Sequence, residues 1–167
     1  GVDGFRRDVG HLRGKALTRD DPPICRERGW GHVPYNDQPA THERLRNIRR
    51  VLDSYAGDRT SVGEVYLLDE AAMADYYGTG DELHLSFNFR FLWAPFEPGE
   101  LATRIRRTID LLRERGAWPT WVLSNHDVPR HRQRYGGDEM LARMAAIMLL
   151  TLPGTPFMYQ GEELGLL

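Results

Sequence analysis

Short apolar runs with strand character alternate with longer helical patterns along this 167-residue chain. That alternation is the signal of a parallel α/β sheet. The strand-like runs fall at residues 1–9, 60–68 (TSVGEVYLL), 83–92 (LHLSFNFRFL), 120–125 and 155–159. In the third of these, Leu85, Phe87, Phe89 and Phe91 alternate with His84, Ser86, Asn88 and Arg90, a period of two. Helical patterns occupy residues 41–55, 69–77, 100–115 and 138–152. Leu45, Ile48, Leu52 and Tyr55 form one apolar stripe, with Thr41 the expected N-cap and Gly57 the expected stop. Leu101, Ile105, Ile109 and Leu112 form another, ended by Gly116. The segment from Met144 to Leu150 is apolar almost all round, which predicts a well-covered helix. A polar stretch from about residue 14 to 39, holding Pro22, Pro23, Pro34 and Pro39, has no periodicity and reads as a long functional loop.

A βα unit here takes about 33 residues, and a complete (β/α)8 barrel takes roughly 250, so the length fits five eighths of a barrel as well as a small open sheet. Lys plus Arg total 22 against 24 Asp plus Glu, a net charge of −2, which argues against a nucleic-acid partner. No stretch approaches the roughly 18 apolar residues of a membrane span. Cys25 is the only cysteine, so no internal disulfide forms and a cytoplasmic location is the expectation. The chain opens at Gly1-Val2-Asp3-Gly4 without Met and stops at Leu166-Leu167 directly after an organised motif. Residues 1–167 are therefore expected to be one domain cut at both ends.

Acidic residues stand where strands should end: Asp8 after GVDGFRR, Glu64 within SVGEVY, and Asp127 in SNHD. In parallel α/β sheets those ends face the ligand, and a carboxylate there is costly to desolvate unless paired or employed. Each could instead cap a helix or join a loop ion pair. Together they fit retaining glycosidic cleavage, which needs a nucleophilic carboxylate and a carboxylic acid about 5–5.5 Å apart. Three carboxylates could also take Mg²⁺ or Ca²⁺, but there is no EF-hand loop and no Asp-x-Asp cluster. Arg6 shares a strand face with Asp8, so its guanidinium should reach that carboxylate and keep it ionised. Arg7 should point the other way, toward the covering helices, an awkward place for a charge. Glu64, between Gly63 and Val65, is expected in an apolar, crowded setting that raises its pKa toward that of a general acid. Asn125, His126 and Asp127 supply donors and acceptors suited to hydroxyl groups.

Three segments resemble signatures of the α-amylase family of glycoside hydrolases, family 13, in the right order: Gly4-Phe5-Arg6-Arg7-Asp8-Val9, Gly63-Glu64-Val65, and Ser124-Asn125-His126-Asp127. Asp81-Glu82-Leu83-His84 with Phe87-Asn88-Phe89 and Ala94-Pro95-Phe96 is similar to the sixth-strand region of the α-glucosidase branch. Asn125 to Arg130 and the closing run from Gly154 to Gly165 are similar to its seventh and eighth. The resemblance implies a partial TIM (β/α)8 barrel, strands four to eight with their helices. It implies Asp8 as nucleophile, Glu64 as acid then base, and Asp127 holding the 2- and 3-hydroxyls of the first sugar. Arg6 would orient Asp8, and His126 and Arg130 would contact the sugar. It implies no cofactor and no metal at this site, and an α-glucoside oligosaccharide or disaccharide as the partner molecule. Val9 after the nucleophile resembles the branch accepting α-1,6 links. The expected activity is an α-glucosidase that releases terminal glucose. Rivals are a transglycosylating or isomerising relative of the trehalose or sucrose isomerase type, and a non-catalytic amylase-like interaction protein. Three things depart from the family pattern. Arg7 replaces an aliphatic residue, the Asp-x-x-x-Asn-His signature is absent, and no C-terminal β domain follows. The N-terminal part of the barrel is expected to be missing, and the isolated segment inactive.

Overall fold

The computed structural model of the chain describes residues 2–12, 37–67 and 69–167. Cys25, most of the expected loop at 14–39 and the last residue of the expected strand at 60–68 lie outside the described residues.

Five short strands are present: β1 (Gly4–Arg7), β2 (Thr60–Gly63), β3 (Leu85–Ser86), β4 (Thr120–Val122) and β5 (Thr155–Phe157). β1, β2 and β3 pair in that order and in parallel, and β4 pairs in parallel with β5. Register sets Arg6 beside Val62 and Arg7 beside Gly63, so β1 and β2 end level. Each strand is shorter than its apolar run, and Asp8, Glu64 and Asn125 all lie just past a C-terminal strand end. The seam between β3 and β4 is bridged by side chains. Thr120 donates from its hydroxyl to the Ser86 carbonyl, and the buried Tyr77 hydroxyl accepts from Ser86 N–H at 3.0 Å and donates to the Trp118 carbonyl at 3.3 Å.

The main helices are α1 (Pro39–Asp53), α2 (Glu70–Asp75), α4 (Pro98–Glu114) and α6 (Glu139–Thr151). Asp69 and Asp138 cap α2 and α6, each carboxylate accepting from two backbone N–H groups of the first turn. Helix α1 begins earlier than Thr41. Pro39, with its φ already helical and no N–H to satisfy, opens it after Gln38, and Thr41 is buried inside the first turn. Leu45 and Leu52 are buried as the stripe predicts, whereas Tyr55 lies past the helix end and is exposed.

Two further expectations are overturned. Residues 83–92 are not one strand, because only Leu85–Ser86 pairs and Phe89–Leu92 forms a helical turn, α3. The cause is Asn88. Its carbonyl oxygen accepts from Phe91 N–H at 2.9 Å while its amide donates to Thr108 on α4 at 3.0 Å, so the chain leaves the sheet at that residue. A second short helix, α5 (His131–Arg134), follows β4. Helix α6 is also not well covered. Ala142, Ala145 and Leu149 pack inward, but Met140, Met144, Ile147 and Leu150 face outward, with Ile147 64% exposed. The largest buried cluster joins Phe91, Leu101, Trp121, Leu123, Tyr135, Ala145 and Leu149 behind β4.

Candidate active site

Arg6 is the hinge of the site. Its Nη2 lies 2.9 Å from Asp8 Oδ1 and 2.6 Å from Glu64 Oε2. Two contacts to one nitrogen leave those oxygens at most about 5.5 Å apart. The Asp8 side chain is 71% exposed, whereas that of Glu64 is 12% exposed. The apolar setting expected for Glu64 is therefore corrected: a cation and a backbone donor face its carboxylate. That donor is Val9 N–H, 3.3 Å from Glu64 Oε2. Val9 adopts φ +44°, a left-handed conformation that a β-branched residue rarely takes, and this turn aims its N–H across the gap. Gly63 is a glycine for a steric reason, since a Cβ there would collide with the Leu83 side chain. The turn Gly10–Leu12 closes the edge of this corner. Gly10 N–H donates to the Glu64 carbonyl at 2.7 Å, and His11 Nδ1 accepts from Tyr66 N–H at 3.2 Å. Burial pushes the His11 imidazole below its ordinary value, opposed by its hydrogen bond to the Glu64 backbone. Arg7 is buried on the other strand face, its guanidinium 5.6 Å from the Phe5 ring centroid.

The second group of residues follows β4. His126 Nε2 lies 3.4 Å from Asp127 Oδ2, and the Asn125 side chain accepts from Asp127 N–H at 2.9 Å. Both His126 and Asp127 are more than half exposed. Arg130 lies over the Tyr159 ring, 4.7 Å from its centroid, and donates to the Gln160 carbonyl at 2.5 Å.

A cavity of about 170 Å³ joins the two groups. Arg6 lines it from β1, and Ser124, Asn125 and His126 line it from the β4 end. Phe87, Phe89, Val122, Phe157, Met158 and Tyr159 complete its wall. Asp8, Glu64, Asp127 and Arg130 are not among the lining residues themselves; each contacts one, Asp8 and Glu64 through Arg6, Asp127 through His126 and Arg130 through Tyr159. The aromatic wall is missed by sequence reasoning, because Phe87 and Phe89 belong to a run whose period of two reads as a strand, whereas the chain turns into α3 between them. Phe87 meets Phe157 edge-on at 4.8 Å, and the Arg6 guanidinium lies 6.0 Å from the Phe87 centroid. Beyond Phe89, the exposed Tyr66 and Trp93 are joined by a hydrogen bond from the indole N–H to the phenol oxygen at 2.7 Å. Among the described residues no group of three or more His, Cys, Asp or Glu is arranged to hold a metal ion, and no helix is long and apolar enough to cross a membrane.

This geometry, a parallel α/β sheet with carboxylates past its strand ends, agrees with comparison to known proteins. The family model for the alpha-amylase catalytic domain matches residues 1–167. The chain belongs to that family, whose members include glycosidases. It is 32% identical to an alpha-glucosidase of Pediococcus pentosaceus and 34% identical to a trehalose-6-phosphate hydrolase of Escherichia coli (strain K12). Each alignment covers 99% of this chain, and 33% and 32% of those relatives. Among solved structures it resembles an alpha-glucosyl transfer enzyme at a TM-score of 0.83 and 35% identity, covering 99% of this chain and 34% of that one. The chain spans about a third of the length of the relatives it matches.

Proposed function

We propose that residues 1–167 are strands four to eight of a (β/α)8 catalytic barrel, in an enzyme that removes terminal α-linked glucose from short α-glucosides with retention of configuration. The observation that carries this reading is the Arg6 bridge. It holds the Asp8 and Glu64 carboxylates within the separation at which one carboxylate attacks while the other protonates the leaving oxygen. In this mechanism Glu64 gives its proton to the glycosidic oxygen as Asp8 attacks the anomeric carbon. Water then cleaves the glucosyl ester with Glu64 as base. His126, which lines the same cavity, and Asp127 beside it hold the sugar hydroxyls, and Arg130 acts through Tyr159. The Arg6 guanidinium, 6.0 Å from the Phe87 ring centroid, orients Asp8.

A second reading is glucosyl transfer to another sugar in place of water. The likeness to an alpha-glucosyl transfer enzyme supports it, because the same carboxylates serve both outcomes. Both readings are tested by expressing the full reading frame that encodes these residues and following p-nitrophenyl α-glucoside by NMR. Retention delivers α-glucose, or an α-linked transfer product, as the first species. The β-anomer appearing first, or an Asp8→Asn variant that keeps wild-type turnover, would sink the assignment.

A further inference from the structure

Behind the cavity lies a buried polar unit that the proposed chemistry does not use. His131 Nδ1 is 2.8 Å from Glu162 Oε1, and their side chains are 3% and 2% exposed. The backbone N–H of His131 donates to Ser124 Oγ at 2.8 Å, and that oxygen lies 3.3 Å from the imidazole Nδ1. The other Glu162 oxygen accepts from Tyr159 N–H at 2.8 Å. Ser124 and Tyr159 both line the cavity, one past β4 and the other past β5. The Glu162 carboxylate and His131, through its imidazole and its backbone N–H, thus join two cavity walls that lie 35 residues apart in the chain.

We infer that His131 and Glu162 are positioning residues, which fix the separation of the two walls and so the aim of His126, Asp127 and Tyr159. A buried polar pair is weak evidence for stability, because apolar residues of the same volume often serve as well. What such a pair supplies is a defined distance and direction at each end, and here both ends terminate on cavity-lining residues. Neighbouring contacts reinforce the tie. Arg130 bonds the Gln160 carbonyl and stacks on Tyr159, and Arg132 donates to the Gly165 carbonyl at 2.5 Å. Gly161 sits at φ +87°, where a Cβ would press on the Arg130 guanidinium, so the loop packs closely onto it.

The inference rests on the proposed glucosidase reading for its kinetic test. In the full-length protein, Glu162→Ala and His131→Leu should each lower kcat/KM on the order of 10²-fold, mostly in kcat, as expected when catalytic groups are misplaced. The double variant should be no worse than either single one, because both break the same unit. Glu162→Gln keeps an acceptor for Tyr159 N–H, and His131→Asn keeps a donor near the Nδ1 position, so these should retain activity within about five-fold of wild type. If the Ala or Leu variants fail to fold, the Gln and Asn variants carry the test through wild-type-like melting with their kcat preserved. Variants that lose melting temperature but keep wild-type kcat and KM would overturn the inference and leave the pair purely structural. A wild-type protein inert toward α-glucosides would defeat the glucosidase reading instead. The tie is then read alone by amide hydrogen exchange at Tyr159, which should be faster in Glu162→Ala than in Glu162→Gln. Equal protection in both would defeat the inference itself.

Discussion

Raising the pH should cost this protein stability at His42, which takes no part in the Arg6 bridge. His42, on α1, places Nδ1 2.8 Å from Glu82 Oε2 and Nε2 3.2 Å from Asp37 Oδ1. Glu82 is 1% exposed and also receives Arg46 at 2.6 Å, and the Tyr76 ring lies 4.6 Å from the imidazole. The hydrogen bonds to Asp37 and then Glu82 raise the His42 pKa from 6.5 to about 9, against the opposing pull of burial. A group whose folded pKa exceeds its unfolded one contributes fully below the unfolded value and loses that contribution as pH rises through the folded value. At about 1.36 kcal/mol per pKa unit, a rise of about 2.5 units stabilises the fold by about 3 kcal/mol below pH 6.5, lost by about pH 10. His11 and His84, both pushed down by burial, act in the opposite sense below pH 6.5, and Tyr76, Tyr77 and Tyr135, all pushed up by burial, lose stability toward pH 10, so the His42 contribution is read between pH 7 and pH 9. The assay is urea unfolding of the full-length protein near pH 7 and near pH 9. About 2 kcal/mol of the contribution is lost between these values, and with a slope of about 4 kcal/mol per molar for a protein of that length the midpoint should fall by about 0.5 M. His42→Gln should abolish most of that fall. An unchanged wild-type midpoint, or an equal fall in His42→Gln, would refute the linkage.

Three further outcomes are expected. Gly63→Ala should lower stability by about 1–3 kcal/mol in thermal unfolding, because the new methyl meets the Leu83 side chain in a packed corner. Arg6→Ala should reduce kcat far more than it raises KM, since it releases both carboxylates from one nitrogen, and a raised KM at unchanged kcat would make Arg6 a plain substrate contact. Residues 1–167 expressed alone should self-associate in size-exclusion chromatography and release no measurable glucose from maltose. Ile147→Glu with Leu150→Glu should reduce that association, because both lie on the outward apolar face of α6; a monomer that turns over maltose would contradict the expectation.

Much of the site was legible because its markers are short and local. Asp69 and Asp138 announce the helices they cap, since a carboxylate two or three residues before the N–H groups it accepts needs no distant partner. Arg6 reaching Asp8 follows from two side chains on one strand face. The third strand was misread because its end depends on a bond between Asn88 and Thr108, 20 residues on, which periodicity does not see. Helix α6 was misread for a related reason. Its apolar composition is local, but what covers Met144, Ile147 and Leu150 is not.

The amino-acid sequence by itself determined the alternation of strands and helices, and the carboxylates waiting at strand ends. Local spacing and residue chemistry suffice for both. Only the tertiary structure decided that Arg6 bonds Glu64 as well as Asp8. That contact joins residues 58 apart and exists because parallel pairing sets β1 level with β2. It also decided that His131 and Glu162 meet in the interior, where packing of the loops past β4 and β5 excludes water and leaves each polar group the other as its partner.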